Sequence, residues 1–261
     1  MLKIGNVYGH GFNLSRIEYI RSLGFSIREP ASHFPGSQVL RFVDFSTGPS
    51  LEFIEVTNEP DYLDFVPQGM VPFCPGINLL IPPDSPKGLS AYQTELQDWG
   101  PNTRHVNYDG SQAENQPGWN YLNFAKPIVK DTFTYLTELE EPRPGRKPAG
   151  RHPNSVARVL GIVFNLPAGQ LSSLAMLAEA DPQSGNLSIG GVQVWSSDEI
   201  APDWDFGDKK FPLIAIALKT NNPDRSLEFF RSLGVPLTRF FSQPAAHMQM
   251  PESSWDLIVT G

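Results

Sequence analysis

The sequence predicts an α+β protein made of repeated βαβββ units whose strands form paired half-barrel mixed sheets. Three observations carry this. A short helix is written twice, near each end of the chain. The strand-like segments around it repeat as well. Turn residues are abundant, with 25 Pro and 22 Gly in 261 residues, which suits many short elements joined by turns.

The repeated helix reads "IEYIRSLGF" from Ile17 to Phe25 and "LEFFRSLGV" from Leu227 to Val235. Five of the nine positions are identical at a constant offset of 210, and the other four pairs are all apolar. Ile17, Ile20 and Leu23 fall on one helical stripe, as do Leu227, Phe230 and Leu233. Gly24 and Gly234 stand where a helix stops. Ser15 with Glu18 has capping-box spacing, and Asn222 before Pro223 reads as an N-cap followed by proline at the first helical position.

The flanks follow the same order at both ends. "KIGNVYGHGF" and "FPLIAIALKT" read as strands ahead of the two helices. "SIREP", "SQVLRFVDF" and "SLEFIEV" follow the first helix; "PLTRFF", "AHMQM" and "SWDLIVTG" follow the last. Two further units fit between, built on "GINLLIPPD", "GLSAYQTELQDWG", "WNYLNFA" and "DTFTYLTELE", and on "RVLGIVFNL", "LSSLAMLAEA", "NLSIGG" and "GVQVWSS". The chain thus reads as four units near 1–57, 76–141, 156–198 and 211–261. The basic loop "PRPGRKPAGRHPNS" separates two halves, 1–141 and 142–261. Residues 58–75 and the acidic "DEIAPDWDFGD" read as excursions.

Composition limits the function. A net charge of −8 argues against nucleic acid, which needs a basic face. No apolar run approaches the ~18 residues of a membrane span, and the N-terminus carries no signal-peptide h-region. Cys74 is the one cysteine; it allows no internal disulfide, fits a cytoplasmic location and reads as a small apolar filler. The expected partner is a small molecule rather than a nucleic acid or a membrane, with a homodimer left open as the assembly.

Strand alternation selects the candidate residues. In "LEFIE", Glu52 and Ile54 share one face and Phe53 and Glu55 the other. "WDLIV" puts Asp256 at the equivalent place in the last unit. The aromatics Trp119, Tyr121, Phe133 and Tyr135 lie on strands of the second unit, as barrel core or as the wall of a ligand pocket. His10 sits between glycines at the end of the first strand, and Asn6 earlier on it can hydrogen-bond a substrate.

The strand, the helix ending "RSLGF" and the late strand "SLEFIEV" resemble the vicinal oxygen chelate superfamily: glyoxalase I, fosfomycin- and bleomycin-resistance proteins and extradiol dioxygenases. "ASHFPGS", "SLEFIEV" and "GRHPNSVARVLGIVF", in that order, resemble glyoxalase-like domain proteins more narrowly. The resemblance implies a divalent metal (Mn, Fe, Ni or Zn) that chelates two neighbouring oxygens of a substrate and acts as a Lewis acid. It implies His33, Glu52 and His152 as metal ligands, with His10 as a substitute. Glu52 would also be catalytic, and Asn6, Asn154 and Trp119 would contact the substrate. The reaction expected is that of a lyase, isomerase or dioxygenase. The alternative is a metal-free pocket that sequesters a small molecule, as bleomycin-resistance-like proteins do. The position of Asn6, where the superfamily places a metal ligand, favours that alternative, as do the aromatics.

Overall fold

The structure is a computed structural model. It describes residues 1–31, 37–64, 66, 70–106, 119–139, 151–179, 187–200, 206, 209–250 and 255–261, with the backbone alone at 29–31, 104–106, 119 and 139. The first unit comprises β1 (Lys3–His10), α1 (Leu14–Ser22), β2 (Arg28–Ala31), β3 (Gln38–Val43) and β4 (Ser50–Val56). A short helix, α2 (Glu59–Leu63), follows. The second unit comprises β5 (Gly76–Ile81), α3 (Leu89–Glu95), β6 (Pro101–Val106), β7 (Trp119–Phe124) and β8 (Phe133–Leu139). The third has β9 (Val156–Phe164), α4 (Ser172–Leu177), β10 (Leu187–Ile189) and β11 (Val192–Ser196). The fourth has β12 (Leu213–Thr220), α5 (Pro223–Ser232), β13 (Leu237–Phe240), β14 (Gln243–Met248) and β15 (Asp256–Thr260).

Two mixed sheets result, ordered β2-β3-β4-β1-β5-β8-β7-β6 and β10-β11-β9-β12-β15-β14-β13. The rule is the same in both. The first strand of a unit pairs parallel with that unit's last strand and antiparallel with the first strand of the neighbouring unit. The first strands therefore lie at the centre of each sheet, and each sheet is an open bowl. β6 adds a strand that the sequence pattern hides. Its "PNTRHV" is polar and begins with proline, which an edge strand tolerates. In the third unit only two strands follow the helix among the described residues.

The repeated helices end alike. In α1 the Gly24 amide bonds to the Arg21 carbonyl and the Phe25 amide to the Ile20 carbonyl; in α5 Gly234 bonds to Arg231 and Val235 to Phe230. This six-to-one, five-to-two pattern needs the left-handed conformation, and Gly24 and Gly234 supply it at φ +78° and +76°. The N-caps are Asn13 and Asn222, whose side chains accept from the Arg16 and Arg225 amides. Asn13 rather than Ser15 caps α1, because the helix starts two residues earlier than the capping-box spacing suggests; Ser15 instead donates to Asn13 Oδ1 at 2.8 Å. The stripes differ most at their last position, and Leu227 is partly buried where Ile17 is fully buried. Leu23 is buried, whereas its counterpart Leu233 is 46% exposed.

The convex faces share one core. Val7, Leu51, Phe53, Ile77 and Leu136 of the first sheet join Ile162, Val194, Ile216 and Leu257 of the second, together with Ile17, Ile20 and Phe230 of the helices. Trp255, just before β15, is fully buried against Phe12 and Phe53, and its indole N–H donates to the Tyr8 carbonyl at 3.3 Å. A Cβ on Gly9 would lie 2.7 Å from that indole nitrogen, so the close approach requires glycine here.

The "HPN" segment locks the halves together. His152 Nδ1 accepts from the Ser26 amide at 3.1 Å, so Nε2 carries the proton and donates to the Asp44 carbonyl at 3.1 Å. The ring sits edge-on to Phe25 and Phe45, and burial lowers its pKa and keeps it neutral. Asn154 is fully buried; its Nδ2 donates to the Leu23 carbonyl at 2.8 Å and its Oδ1 accepts from the Val156 amide at 3.1 Å. Its own carbonyl accepts from Ser226 at the start of α5. Replacing Asn154 by alanine strands the Leu23 carbonyl and the Val156 amide in the interior. Asn154→Ala is expected to lower the unfolding free energy by about 2–4 kcal/mol, measured by urea denaturation.

Candidate functional site

The concave faces are the places where strand alternation leaves side chains without a second layer, and the two bowls differ there. The second bowl is filled. Val163, Ala215, Ala217, Phe240 and Ile258 form a separate apolar cluster, with Trp195 packed on it. Gly161 makes this filling fit, since a Cβ there would lie 2.2 Å from the Trp195 ring. The first bowl holds a cavity of about 110 Å³. Its walls come from five strands: Tyr8 and His10 on β1, Gln38 and Leu40 on β3, Glu52 and Ile54 on β4, Tyr121 and Asn123 on β7, and Phe133 and Tyr135 on β8. The described residues of the excursion after β4, called the strap below, add Tyr62, Val66, Val71 and Cys74 to one side.

Glu52 is the carboxylate of this cavity, only 5% exposed. Parallel pairing sets it beside Tyr8, and Asn6 Nδ2 donates to its Oε2 at 3.0 Å. The internal repeat explains the pair. Asn6 and Asn78 are partners across the β1–β5 junction, and Asn78 makes the matching contact in its own unit by accepting from Thr137 Oγ1 at 2.7 Å. One half of the bowl thus carries Asn–Glu and the other Asn–Thr. The first bowl holds a single inward carboxylate at this level.

The aromatic wall is continuous. Tyr8 stands 6.0 Å from Tyr135 and 6.2 Å from Phe133 between ring centroids, and Tyr135 meets Tyr121 at 5.9 Å. Gly76 opposes Tyr8 across the antiparallel junction; a Cβ on it would fall 2.1 Å from the phenol oxygen. Burial first, then the neighbouring Tyr135, holds the Tyr8 phenol well above its usual pKa, so it stays protonated. Its hydroxyl donates to the Phe133 carbonyl at 3.3 Å.

His10 has no free nitrogen. Nδ1 lies 3.0 Å from the Cys74 carbonyl and Nε2 lies 2.9 Å from the Tyr62 hydroxyl. A carbonyl only accepts, so Nδ1 carries the proton and Nε2 accepts from Tyr62. Burial lowers the His10 pKa to about 4. Burial likewise raises the Tyr62 phenol and pushes the Cys74 thiol up to about 11. The strap is therefore fastened to β1 by a neutral histidine.

The residues that the sequence singles out divide accordingly. Glu52 and His10 come together in the cavity, and Asn6 holds Glu52. His152 and Asn154 do not line it; their polar atoms are bonded to backbone groups at the junction of the halves. His33 lies outside the described residues, as does the side chain of Trp119, whose backbone starts β7. Tyr121, Phe133 and Tyr135 line the cavity. Asp256 faces the second bowl, 1% exposed, where it accepts from Lys209, His247 and the Met250 amide. Burial alone would raise its pKa; these three donors outweigh it and hold the carboxyl below the usual range. Glu138 on β8 accepts from the Leu89 amide at the start of α3. Sequence reasoning missed Tyr8, Tyr62 and Asn123. Alternation along "NVYGH" places Tyr8 on the face of Asn6 and His10. Nothing in the excursion marks Tyr62.

The donor set bears on the metal that the family resemblance implies. Among the described residues no three His, Cys, Asp or Glu side chains come together in a way that could hold a metal ion. In the cavity Glu52 is joined by a histidine bonded at both nitrogens and a cysteine kept as thiol. These residues do not fit a three-ligand divalent centre.

Neither family models nor curated proteins match the sequence. Solved structures do match. A hypothetical protein from Staphylococcus aureus aligns with TM-score 0.63 and 9% identity over 99% of each chain. An extradiol ring-cleaving dioxygenase from B. fuscum aligns with TM-score 0.58 and 12% identity, over 100% of this chain and 72% of the other. A catechol 2,3-dioxygenase aligns with TM-score 0.55 and 9% identity, over 99% and 87%. The chain has the vicinal oxygen chelate fold. At these identities the likeness concerns the fold, and the chemistry must come from the site. No helix among the described residues is long and apolar enough to cross a membrane.

The buried neutral His10 links stability to pH. Its folded pKa of about 4 lies below the ordinary 6.5, so the unfolded chain takes up the proton first as pH falls. The penalty is absent above pH 6.5, grows as pH falls toward 4 and levels off below. At pH 4.5 it amounts to about 2 kcal/mol. Urea unfolding at pH 7 and pH 4.5 is expected to show wild type losing more stability than His10→Gln by that amount.

Proposed function

We propose that the first bowl binds a small one-ring molecule bearing an O–H or N–H group, that Glu52 accepts from that group, and that no metal takes part. The observation that carries this reading is a buried carboxylate set in an aromatic wall, in the bowl that the protein leaves unfilled. The volume of about 110 Å³ compares with the roughly 150 Å³ cavity that takes up benzene in an engineered protein, so one ring fits and a polycycle does not. Tyr8 and Tyr135 offer ring faces and edges to such a molecule. A carboxylate has about four acceptor directions, so Glu52 can hold Asn6 and a ligand together. Asn6 positions the carboxylate, Gly76 makes room for Tyr8, and the strap shields the ligand from water. The chain reads as a binding or sequestering protein on this account.

The whole-chain likeness to structures described as catechol 2,3-dioxygenase and as extradiol ring-cleaving dioxygenase favours a second reading, a ring-cleaving oxygenase. The two readings separate in one experiment. Calorimetric titration with phenol in the presence of EDTA is expected to give a Kd of about 1 mM or tighter. Glu52→Gln keeps the shape but removes the charge, and is expected to weaken binding about tenfold with folding intact. About one metal ion per purified chain, lost in Glu52→Gln and required for phenol binding, would overturn the metal-free reading in favour of the oxygenase.

A further inference from the structure

The cavity contains one polar atom that the protein leaves unanswered. Asn123 lines it from β7 and is only 3% exposed, yet its side-chain oxygen has no hydrogen-bond partner among the described residues. Alternation explains why it is there. On "YLNF", Leu122 and Phe124 enter the convex core, so Tyr121 and Asn123 must face the bowl. An apolar residue at 123 would complete the aromatic wall without cost. A buried amide oxygen without a donor costs on the order of 1–3 kcal/mol, which is a reason to look for the donor in a ligand.

Its place relative to Glu52 sets the form of that ligand. Glu52 is on β4 and Asn123 on β7, with β1, β5 and β8 between them in the sheet. Four inter-strand steps of about 4.8 Å amount to roughly 19 Å around the arc, and the two line one cavity from its two sides along the sheet order. Both offer an acceptor oxygen to the cavity. Between them stand Tyr8, Phe133 and Tyr135, whose rings meet one another. Two acceptors on two sides of one cavity with an aromatic slot between them match one ring with donors at its two ends.

Resting on the cavity reading above, we infer that the ligand is a single-ring molecule with hydrogen-bond donors at opposite ends, one held by Glu52 and the other by Asn123. A vicinal pair of hydroxyls reaches only one of the two acceptors at a time. A water molecule can occupy the Asn123 position in the empty protein, and the distal hydroxyl of the ligand takes its place.

The test uses four probes in anaerobic calorimetric titrations: phenol, 4-methoxyphenol, 1,2-dihydroxybenzene and 1,4-dihydroxybenzene. Wild type is expected to bind the 1,4-diol about tenfold tighter than the other three, the worth of one buried hydrogen bond. Asn123→Leu, close to asparagine in size, is expected to erase that advantage, so that the ratio of 1,4-diol to phenol affinity falls to about one. Equal binding of the 1,4-diol and phenol by wild type would overturn the inference without any variant. An advantage that survives in Asn123→Leu, or in Asn123→Ala if the leucine variant does not fold, would overturn it too. Failure of wild type to bind any of the four, phenol included, would overturn the cavity reading itself.

Discussion

The structure depends on where the first strand of each unit sits. β1 pairs parallel with β4 and antiparallel with β5, so it is buried on both edges at the middle of its sheet. Its alternate residues divide the protein. Val7 points into the core that both halves share, while Tyr8 and His10 point into the bowl. Gly9 lets Trp255 of the other half rest against the strand, and Gly76 on β5 lets the Tyr8 ring cross the junction. A slip of one residue would send the aromatic set outward and the aliphatic set inward, so both faces fix the register.

The repeat also shows how one bowl can be filled and the other open. Asp256 in β15 faces its bowl as Glu52 does in β4, but two residues further from the helix: its partner Ala215 stands seven residues before the N-cap Asn222, whereas Tyr8 stands five before Asn13. Tyr8 lies beside Glu52, but Ala215 lies beside Asp256, and Trp195 covers Gly161 in the space that results. Lys209 pairs with the second carboxylate within the protein, and His247 hydrogen-bonds its other oxygen. In the first bowl no lysine or arginine lines the cavity among the described residues. Copies of one unit thus serve two ends: one bowl is closed by its own side chains, and the other keeps polar groups facing an open space.

Much of the fold was legible because its signals are local. The helix repeat, its glycine stops and the alternation of "SLEFIEV" depend on neighbours in sequence, and all of them appear in the structure. β6 was not legible, because an edge strand has no need of an apolar stripe. The site was legible in part. Glu52 and the second-unit aromatics follow from alternation, which is local. The partners of His10 and His152 are 52, 64, 108 and 126 residues away, and no periodicity reports contacts of that separation. For this reason the "HPN" segment, which resembles a binding motif in sequence, is found in the structure to hold α1, β9 and α5 together through backbone bonds.

The seat of Trp255 has a consequence for how the molecule comes apart. Its ring belongs to the second half by sequence and to the first by contact, and the apolar cluster around it draws on both sheets and on the repeated helices. A boundary that left one half intact while the other unfolded would have to run through this cluster and expose a tryptophan, several phenylalanines and the Asn154 bonds at once. The cheapest partial opening therefore lies elsewhere, at the strap and the sheet edges, and the two halves behave as one cooperative unit despite having two separate sheets.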